Sequence, residues 1–203
     1  MSSLKRKKNS RTFIEKEDTV IELTYNHDKF DKIDKKIIDL VEKTPSLIVN
    51  PKSKDAYEGL LIFLQTVSKD GYCSSFYEQY IDYYYISSDA IITLQTLDND
   101  LIGYCIFSFD KDDINAHMIC GNKNYKNIGT IILEMLKDMV KTLDFRRVIL
   151  TSTTEALPFY LKRGFECINE QCPMEFIVKK KKKNSKNKKN STNKKNKKNS
   201  VNK

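Results

Sequence analysis

Residues 121–130 read Gly-Asn-Lys-Asn-Tyr-Lys-Asn-Ile-Gly-Thr, a small polar stretch between a strand pattern and a helix pattern. The preceding residues 113–120, Asp-Ile-Asn-Ala-His-Met-Ile-Cys, predict a strand. The residues that follow predict a helix, because apolar side chains recur at the spacing of one helical face: Ile128, Ile131, Ile132, Met135, Leu136, Met139 and Leu143. A strand, a polar loop and a helix start gather unpaired backbone N–H groups, which with Lys123 and Lys126 suit a pyrophosphate. An ordinary strand-to-helix turn without a ligand is the alternative interpretation.

A second segment, residues 153–165, reads Thr-Thr-Glu-Ala-Leu-Pro-Phe-Tyr-Leu-Lys-Arg-Gly-Phe and follows a strand-like run at residues 147–151. We expect Thr154 to cap a helix whose first turn contains Pro158, where the missing N–H costs little. Gly164 is expected to end that helix, and Phe165 to begin the next strand.

Both segments resemble signatures of one protein family. Residues 124–129, Asn-Tyr-Lys-Asn-Ile-Gly, resemble the pyrophosphate loop Gln/Arg-x-x-Gly-x-Gly/Ala of the GNAT superfamily of acetyl-CoA-dependent N-acetyltransferases. Asn124 replaces the usual Gln or Arg, and Asn127 replaces the first glycine; Asn tolerates left-handed backbone angles better than most residues. Residues 153–165 resemble the later signature Asn-x-x-Ala-x-x-Phe-Tyr-x-x-x-Gly-Phe, with Thr153 at the Asn position. The resemblance extends over about residues 89–178.

The resemblance implies an α/β (α+β) fold, with a mixed and mostly antiparallel central sheet flanked by helices. Apolar patterns predict a first strand at residues 19–25, helices at 30–41 and 55–67, and a loop at 44–54 between those helices. Residues 90–97 and 101–109 predict a hairpin, and the strand ending at Cys120 is expected to pair next. Residues 11–178 form the predicted domain. The flanking residues 1–10 and 179–203 are predicted to be disordered basic tails.

The resemblance also implies acetyl-CoA as co-substrate and no metal. Backbone groups around Ile119 are expected to meet the pantetheine and the thioester carbonyl. The other expected contacts to the cofactor come from Asn124, Tyr125, Lys126, Asn127, Gly129, Thr130 and Thr153.

Two side chains are the candidate catalytic residues. Tyr160 occupies the family's tyrosine position, which implies a general acid toward the CoA sulfur. Many family members use a glutamate on the strand before the loop as general base, and this strand has none. His117 lies on that strand, and the free pKa of histidine is close to neutrality. Asp113 acting through water, or solvent alone, are the alternatives.

The charge distribution bears on partners. The net charge is +9, but 13 lysines lie in residues 179–203 and four basic residues in 5–8. Of the 36 basic residues, 19 therefore remain in residues 9–178, here called the body, which also contains all 27 acidic residues and has a net charge of −8. An acidic body favours a cationic amine acceptor, either a small molecule or a protein amine. The tail suits weak, salt-sensitive contact with nucleic acid through residues 179–203, and compositional drift without a function is the preferred alternative.

Residues 72–85 are crowded with aromatic side chains and include Glu78 and Asp82. They predict either an acceptor wall that receives an ammonium group or plain packing between helix and sheet.

The five cysteines show no paired metal spacing, and no run approaches the roughly 20 apolar residues of a membrane span. We therefore expect reduced cysteines, no membrane contact and an intracellular location, cytoplasmic or nuclear.

The sequence thus predicts an acetyl-CoA-dependent N-acetyltransferase that moves an acetyl group to a primary amine by direct attack. The alternative is a non-catalytic GNAT-fold module that its basic tail tethers to nucleic acid.

Overall fold

The computed structural model describes residues 11–25, 47–51, 77–169 and 173–177, together with the single positions Leu40, Leu64 and Cys73. In chain order the elements are β1 (Thr12–Phe13), a 3-10 turn (Lys16–Asp18), β2 (Thr19–Tyr25), β3 (Leu47–Pro51), α1 (Tyr77–Ser87), β4 (Ala90–Thr96), β5 (Leu101–Asp110), β6 (Asp113–Gly121), β7 (Tyr125–Lys126), α2 (Ile128–Thr142), β8 (Arg147–Thr151), α3 (Leu157–Leu161), β9 (Glu166–Cys167) and β10 (Pro173–Ile177).

Eight of the strands in these residues form one mixed sheet with the order β3-β2-β4-β5-β6-β8-β10-β9. The pairs β2–β3 and β6–β8 are parallel, and every other neighbouring pair is antiparallel. The predicted mixed, mostly antiparallel sheet is therefore confirmed, including the three consecutive antiparallel strands β4, β5 and β6. The strands β1 and β7 pair in parallel in a separate two-stranded ladder.

The sheet buries an apolar layer on each face. On one face, α2 lays its apolar stripe, including Ile132 and Leu136, against Cys105 and Phe107 of β5. On the other face, Ile81 and Tyr85 of α1 belong to the cluster that contains Tyr104 and Ile106 of the same strand. Successive residues of a strand point to opposite faces, so β5, buried on both sides, reads as a continuous apolar run. The helix predicted from residue 128 is confirmed as α2.

The predicted loop at residues 44–54 is wrong, because residues 47–51 form β3 and pair in parallel with β2 from Ile21↔Leu47 to Tyr25↔Pro51. Leu-Ile-Val is a β-favouring run that the flanking prolines obscured. Pro51 is tolerated there because β3 lies at the edge of the sheet, where an N–H is not required.

The predicted cap at Thr154 is also wrong. The cap position of α3 is Ala156, and no side chain caps the helix. Instead, the carbonyl of Thr153 accepts hydrogen bonds from the amides of Ala156 and Leu157 (both 3.1 Å), so a backbone turn precedes the helix. Pro158 does lie in the first turn, and Gly164 has the left-handed φ of +78° expected where the chain leaves the helix.

The expectation of reduced cysteines is wrong for Cys73 and Cys120, which form a disulfide with their Cα atoms 5.8 Å apart, and for Cys167, which is also disulfide-bonded. Cys120 belongs to β6, so this bond ties position 73 to the central strand. Cys105 is a buried free thiol.

The helices expected at residues 30–41 and 55–67 and the tails at 1–10 and 179–203 fall, apart from Leu40 and Leu64, outside the described residues and stay predictions. Within the described residues, no helix is both long and apolar enough to cross a membrane.

Candidate active site

The central feature of the site is an opening between β6 and β8. These parallel strands pair from Asp113↔Arg147 to Ala116↔Leu150, and β6 then continues to Gly121 without β8 beside it. A β-bulge marks the point of separation, because Ile106 pairs with Met118 whereas Phe107 pairs with Ala116. His117 is the extra residue. Bulges bend a strand and re-aim its side chains, so β6 turns away from β8 here.

The pairing of β6 with β5 decides which way the backbone of Ile119 points. Asn122 N donates to Ile102 O at 2.8 Å, which makes Gly103 and Gly121 a pair without direct mutual hydrogen bonds. Two residues back, Ile119 is in the same kind of pair with Cys105. The N–H and C=O of Ile119 therefore point away from β5, into the opening left by β8. Cys73 Sγ lies 3.4 Å from Ile119 O.

The loop after β6 presents open amides at the start of α2. Asn127, at the cap position of α2, has φ +76°, and this confirms that asparagine takes the left-handed conformation where the family has glycine. The backbone N–H groups of Asn127, Ile128 and Gly129 have no hydrogen-bond acceptor among the described residues. Three N–H groups with the positive end of a helix dipole can receive an anion.

The remaining part of the loop is held by internal hydrogen bonds. Asn124 N donates to Asn122 Oδ1 (2.9 Å), and Tyr125 N donates to Asn122 O (3.2 Å). Thr130 N donates to Asn127 O at 3.0 Å. These three amides are therefore not offered to a ligand, and the open amides are confined to residues 127–129.

A cavity of about 810 Å³ lies between this loop, the end of β6 and helix α3. Its volume falls within the roughly 300–1,000 Å³ of small-molecule sites. Seven of the eight residues expected to bind the cofactor line it: Ile119, Tyr125, Lys126, Asn127, Gly129, Thr130 and Thr153. Asn124 does not line the cavity; its carbonyl instead accepts a hydrogen bond from Thr12 N at 2.9 Å.

Tyr160 lines the same cavity from α3. Its ring packs edge-on against Phe159 and Phe165, with centroids 5.1 and 5.8 Å away. Burial raises the pKa of the Tyr160 phenol to about 12, and the neighbouring Cys105 adds to the shift. The hydroxyl therefore keeps its proton throughout the neutral range.

His117 lies outside the cavity lining, on the α1 side of the sheet. Its ring stacks on Tyr84 with a centroid separation of 5.4 Å and an interplanar angle of 6°, and Nε2 shares a 2.8 Å hydrogen bond with Ser108 Oγ. Partial burial lowers the pKa of His117 below its ordinary value, and the negative charge of Asp89 opposes this in part. The imidazole is therefore neutral near pH 7 and able to accept a proton.

Asp113 is held in an ion pair with two arginines. Its carboxylate accepts hydrogen bonds from Arg146 Nη2 (2.8 Å) and Arg147 Nε (3.0 Å), at the end of β6 that is still paired with β8. Burial raises the pKa of Asp113, but the bonds from the two guanidinium groups outweigh it and hold the pKa below its usual value. This ion pairing disfavours the alternative of Asp113 as a base acting through water, which stays a prediction.

Eight further residues line the cavity that sequence reasoning did not assign to the site, and Phe13, Phe159 and Arg163 are among them. Arg163 donates from Nε to Thr130 Oγ1 (3.0 Å) and from Nη1 to Phe159 O (3.0 Å), and its guanidinium carbon lies 3.7 Å from the Phe159 ring centroid. Arg163 and Phe159 belong to the second signature, so their position in the motif was the available signal. Phe13 gave none.

The aromatic stretch divides between the two interpretations made for it. Ile81 and Tyr85 are buried against the sheet, as plain packing predicts. Tyr80 and Tyr83 are exposed and surround Tyr84, which carries the stacking contact to His117. The side chain of Glu78 lies outside the part of the chain described here.

The open sheet, the helix N-terminus beside it and the shared cavity define an α/β protein with a site of small-molecule size between a strand edge and the open amides of residues 127–129. The acetyltransferase (GNAT) domain family matches residues 62–179, more than half of the chain, and the protein belongs to this family.

Solved structures of similar fold include acetyltransferases from several organisms. Tetrahymena GCN5 is 15% identical, with a TM-score of 0.49 and coverage of 60% of this chain and 88% of that one. The ribosomal-protein-S18-alanine N-acetyltransferase of Escherichia coli is 15% identical, with a TM-score of 0.49 and coverage of 61% and 91%. The PaiA N-acetyltransferase of Thermoplasma acidophilum, in complex with coenzyme A, is 17% identical, with a TM-score of 0.44 and coverage of 58% and 92%. No curated protein sequence matches the chain.

Proposed function

We propose that the protein is an N-acetyltransferase that moves an acetyl group from acetyl-CoA to a primary amine by direct attack. The observation that carries this proposal is the cavity that joins the open amides of residues 127–129 to Tyr160 and to the backbone of Ile119. The family supports acyl transfer in general, and the chemistry of these groups supports the particular reaction.

The cavity suits acetyl-CoA at both ends. The amides of Asn127, Ile128 and Gly129 would receive the diphosphate, and Lys126 adds a positive charge on the same rim. The edge of β6 beyond Ala116, which β8 does not pair, is open to the pantetheine arm. When bound, acetyl-CoA supplies the thioester whose acetyl group is transferred.

The N–H of Ile119 is the proposed donor to the thioester carbonyl oxygen, where negative charge develops during attack. It is suited to this role because it points into the opening and belongs to a rigid central strand. One preorganised donor of this kind is typically worth about 10²- to 10³-fold in rate.

Tyr160 is the proposed proton donor to the leaving sulfur. A phenol whose pKa lies near 12 is fully protonated at neutral pH, so its hydrogen is always available. It is also a weak acid, so it acts by donating a hydrogen bond that stabilises the developing thiolate. Positioned acids and bases typically contribute about 10²- to 10⁴-fold.

His117 is the proposed base for the acceptor ammonium. It is the bulge residue at the point where β6 leaves β8, and its neutral imidazole faces the α1 side of the sheet. The cofactor cavity lies on the α2 side, so the acceptor would approach from the opposite face. A proton moves from the ammonium to His117 directly or through one water molecule, and the neutral amine is left to attack.

The acidic body and the exposed rings of Tyr80 and Tyr83 support a cationic amine as the acceptor, either a small molecule or a protein amine. The lysine-rich residues 179–203 would hold a nucleic-acid partner only loosely and only at low salt.

Two observations favour the second candidate function, a non-catalytic GNAT-fold module. Strand β6 has no glutamate, and Asn124, which replaces the family's Gln or Arg, lies outside the cavity lining. A module of this kind would bind acetyl-CoA without transferring the acetyl group.

The test is a free-thiol release assay with acetyl-CoA and a panel of small amines, polyamines and peptides with free amino groups. The wild-type chain is expected to release thiol with at least one amine, and Tyr160→Phe to lower that turnover by about 10²-fold or more. Tyr104→Phe is the matched control, because it removes a tyrosine hydroxyl on the opposite sheet face, where that hydroxyl contacts Met118 Sδ at 3.0 Å.

Thermal unfolding with increasing acetyl-CoA separates the two candidates, because a ligand that binds the folded state raises the melting temperature. A rise without thiol release from any amine would favour the module. If acetyl-CoA does not raise the melting temperature and no amine gives thiol release, both functions are refuted.

A further inference from the structure

The N-terminal residues 11–14, here called the strap, lie along the phosphate loop. Thr12 N donates to Asn124 O (2.9 Å) and Ile14 N donates to Lys126 O (3.3 Å), which gives the parallel register Thr12↔Tyr125 and Phe13↔Lys126. The strap therefore pairs as a parallel strand with the loop, although more than a hundred residues separate the two in sequence.

Two contacts fix the strap firmly. Ile14 is 7% exposed and belongs to the core cluster beneath α2. Its carbonyl accepts a hydrogen bond from Asn127 Nδ2 at 3.1 Å, and Asn127 is the left-handed residue whose own amide is open. The strap thus holds the residue that shapes the proposed phosphate site.

Phe13 points the other way along the strap. Successive strand residues alternate in direction, so burial of Ile14 turns the Phe13 ring outward. The ring is 60% exposed, yet it lines the cavity together with Lys126 and Asn127. Within the described residues, Phe13 belongs to neither core cluster, although it is a large apolar ring at the rim of the cavity.

The chemistry of the proposed ligand suggests what the ring is for. In acetyl-CoA the group attached to the diphosphate on the side away from the thioester is a phosphorylated adenosine. With the diphosphate on the amides of residues 127–129 and the pantetheine directed along β6, that adenosine leaves the cavity at the rim where the strap lies. Aromatic side chains stack on nucleobases through their faces.

We propose that Phe13 stacks on the adenine of acetyl-CoA and that the strap is a part of the cofactor site. This inference rests on the proposed function. It assigns to the N-terminal segment a binding role that neither signature of the sequence contains.

The experiment measures acetyl-CoA affinity by calorimetry on the full chain and on four variants. Phe13→Ala and Phe13→Leu remove the ring, and Leu keeps an apolar side chain that continues the strand. Phe13→Trp keeps an aromatic face. Leu97→Ala is the matched control, because Leu97 is 65% exposed in the turn between β4 and β5, outside the cavity lining. Urea unfolding of each variant checks that the fold is unchanged.

Stacking predicts that both ring-removing variants bind roughly 5- to 150-fold more weakly, whereas the Trp variant and the Leu97 control stay within about twofold of wild type. If wild type binds and the Ala and Leu variants match it, the stacking inference is overturned and the proposed function stands. If the Trp variant loses as much as the Ala variant, the ring face is not the cause and the inference is likewise overturned. If wild type does not bind acetyl-CoA at all, the proposed function fails and this inference fails with it.

Discussion

Gly129 and Phe159 offer a sharp test of how the site is packed. Gly129 is the second residue of α2 and has no left-handed φ, so it is not required for backbone conformation. A Cβ built on it would lie 2.8 Å from Phe159 Cζ, whereas ordinary contact begins at about 3.4 Å. The ring would have to retreat by about 0.6 Å, the difference between these distances. That retreat is resisted by Arg163, whose guanidinium carbon lies 3.7 Å from the ring centroid.

The expected cost of Gly129→Ala follows from two opposing terms. Overpacking typically destabilises by about 1–3 kcal/mol. Alanine gains up to about 1 kcal/mol over glycine in a helix interior, and less in the first turn. In the wild-type background we therefore expect the free energy of unfolding to fall by about 0–3 kcal/mol. With Phe159→Leu the clash is absent, and the same substitution is expected to be neutral or stabilising by up to about 1 kcal/mol.

The assay is a double-mutant cycle by urea unfolding on four proteins: wild type, each single variant and the double variant. The predicted coupling energy between positions 129 and 159 is about 1–3 kcal/mol, at the strong end for residues in contact. Gly121→Ala is a comparison at the other side of the loop, where the Cβ would meet Ile128 Cγ2 at 3.1 Å and not Phe159. If Gly129→Ala has the same effect in both backgrounds, the close approach to Phe159 is not what requires glycine.

Three further predictions concern the loop and the two catalytic candidates. Asn127→Gly keeps the left-handed conformation, so its free energy of unfolding in urea should lie within about 1 kcal/mol of wild type. Asn127→Ala adds backbone strain to the loss of the bond to Ile14, so its free energy of unfolding should be about 1–2 kcal/mol lower than that of Asn127→Gly. Equal losses in the two variants would contradict this. Because the pKa of Tyr160 is raised to about 12, turnover that needs its proton should not decline between pH 8 and about 10.5. The raised pKa would be refuted by a loss of turnover centred near pH 10, the free phenol value of about 10, if that loss is absent in Tyr160→Phe. Because the pKa of His117 is lowered, the imidazole is neutral above its ordinary pKa of about 6.5, and kcat/KM should decline only as the pH falls below that value. A decline in kcat/KM already centred above pH 7 that disappears in His117→Gln would show that burial does not lower the pKa of His117.

The sheet and the long helix could be predicted because their residues carry a strong local pattern. Strand β2 at Thr19–Tyr25 and strand β8 at Arg147–Thr151 have the predicted bounds, and α2 begins at the predicted Ile128. In each case apolar residues recur with the period of the element and a polar or turn segment limits it. Asn127 could be predicted for a different reason, because asparagine is one of the few residues that accept the left-handed conformation there.

The bulge and the strap could not be predicted. Ile114, Ala116, Met118 and Cys120 alternate as if they shared one face, yet the first two pack under α2 and the last two on the α1 side. The bulge at His117 causes this change of face, and its cause lies in pairing with β5, which no local pattern contains. The strap is a two-residue strand with a distant partner, so it has no period to detect.

The measurement that tests the central claim most directly is amide NMR of the chain labelled with ¹⁵N, titrated with CoA. If the open N–H groups of residues 127–129 receive the diphosphate, these three resonances should shift most and saturate together. The amides of Asn124 and Tyr125, already bonded to Asn122, should shift less. Resonances at 127–129 that stay in place at saturating CoA, or binding that shifts only residues elsewhere, would contradict the proposed cofactor site.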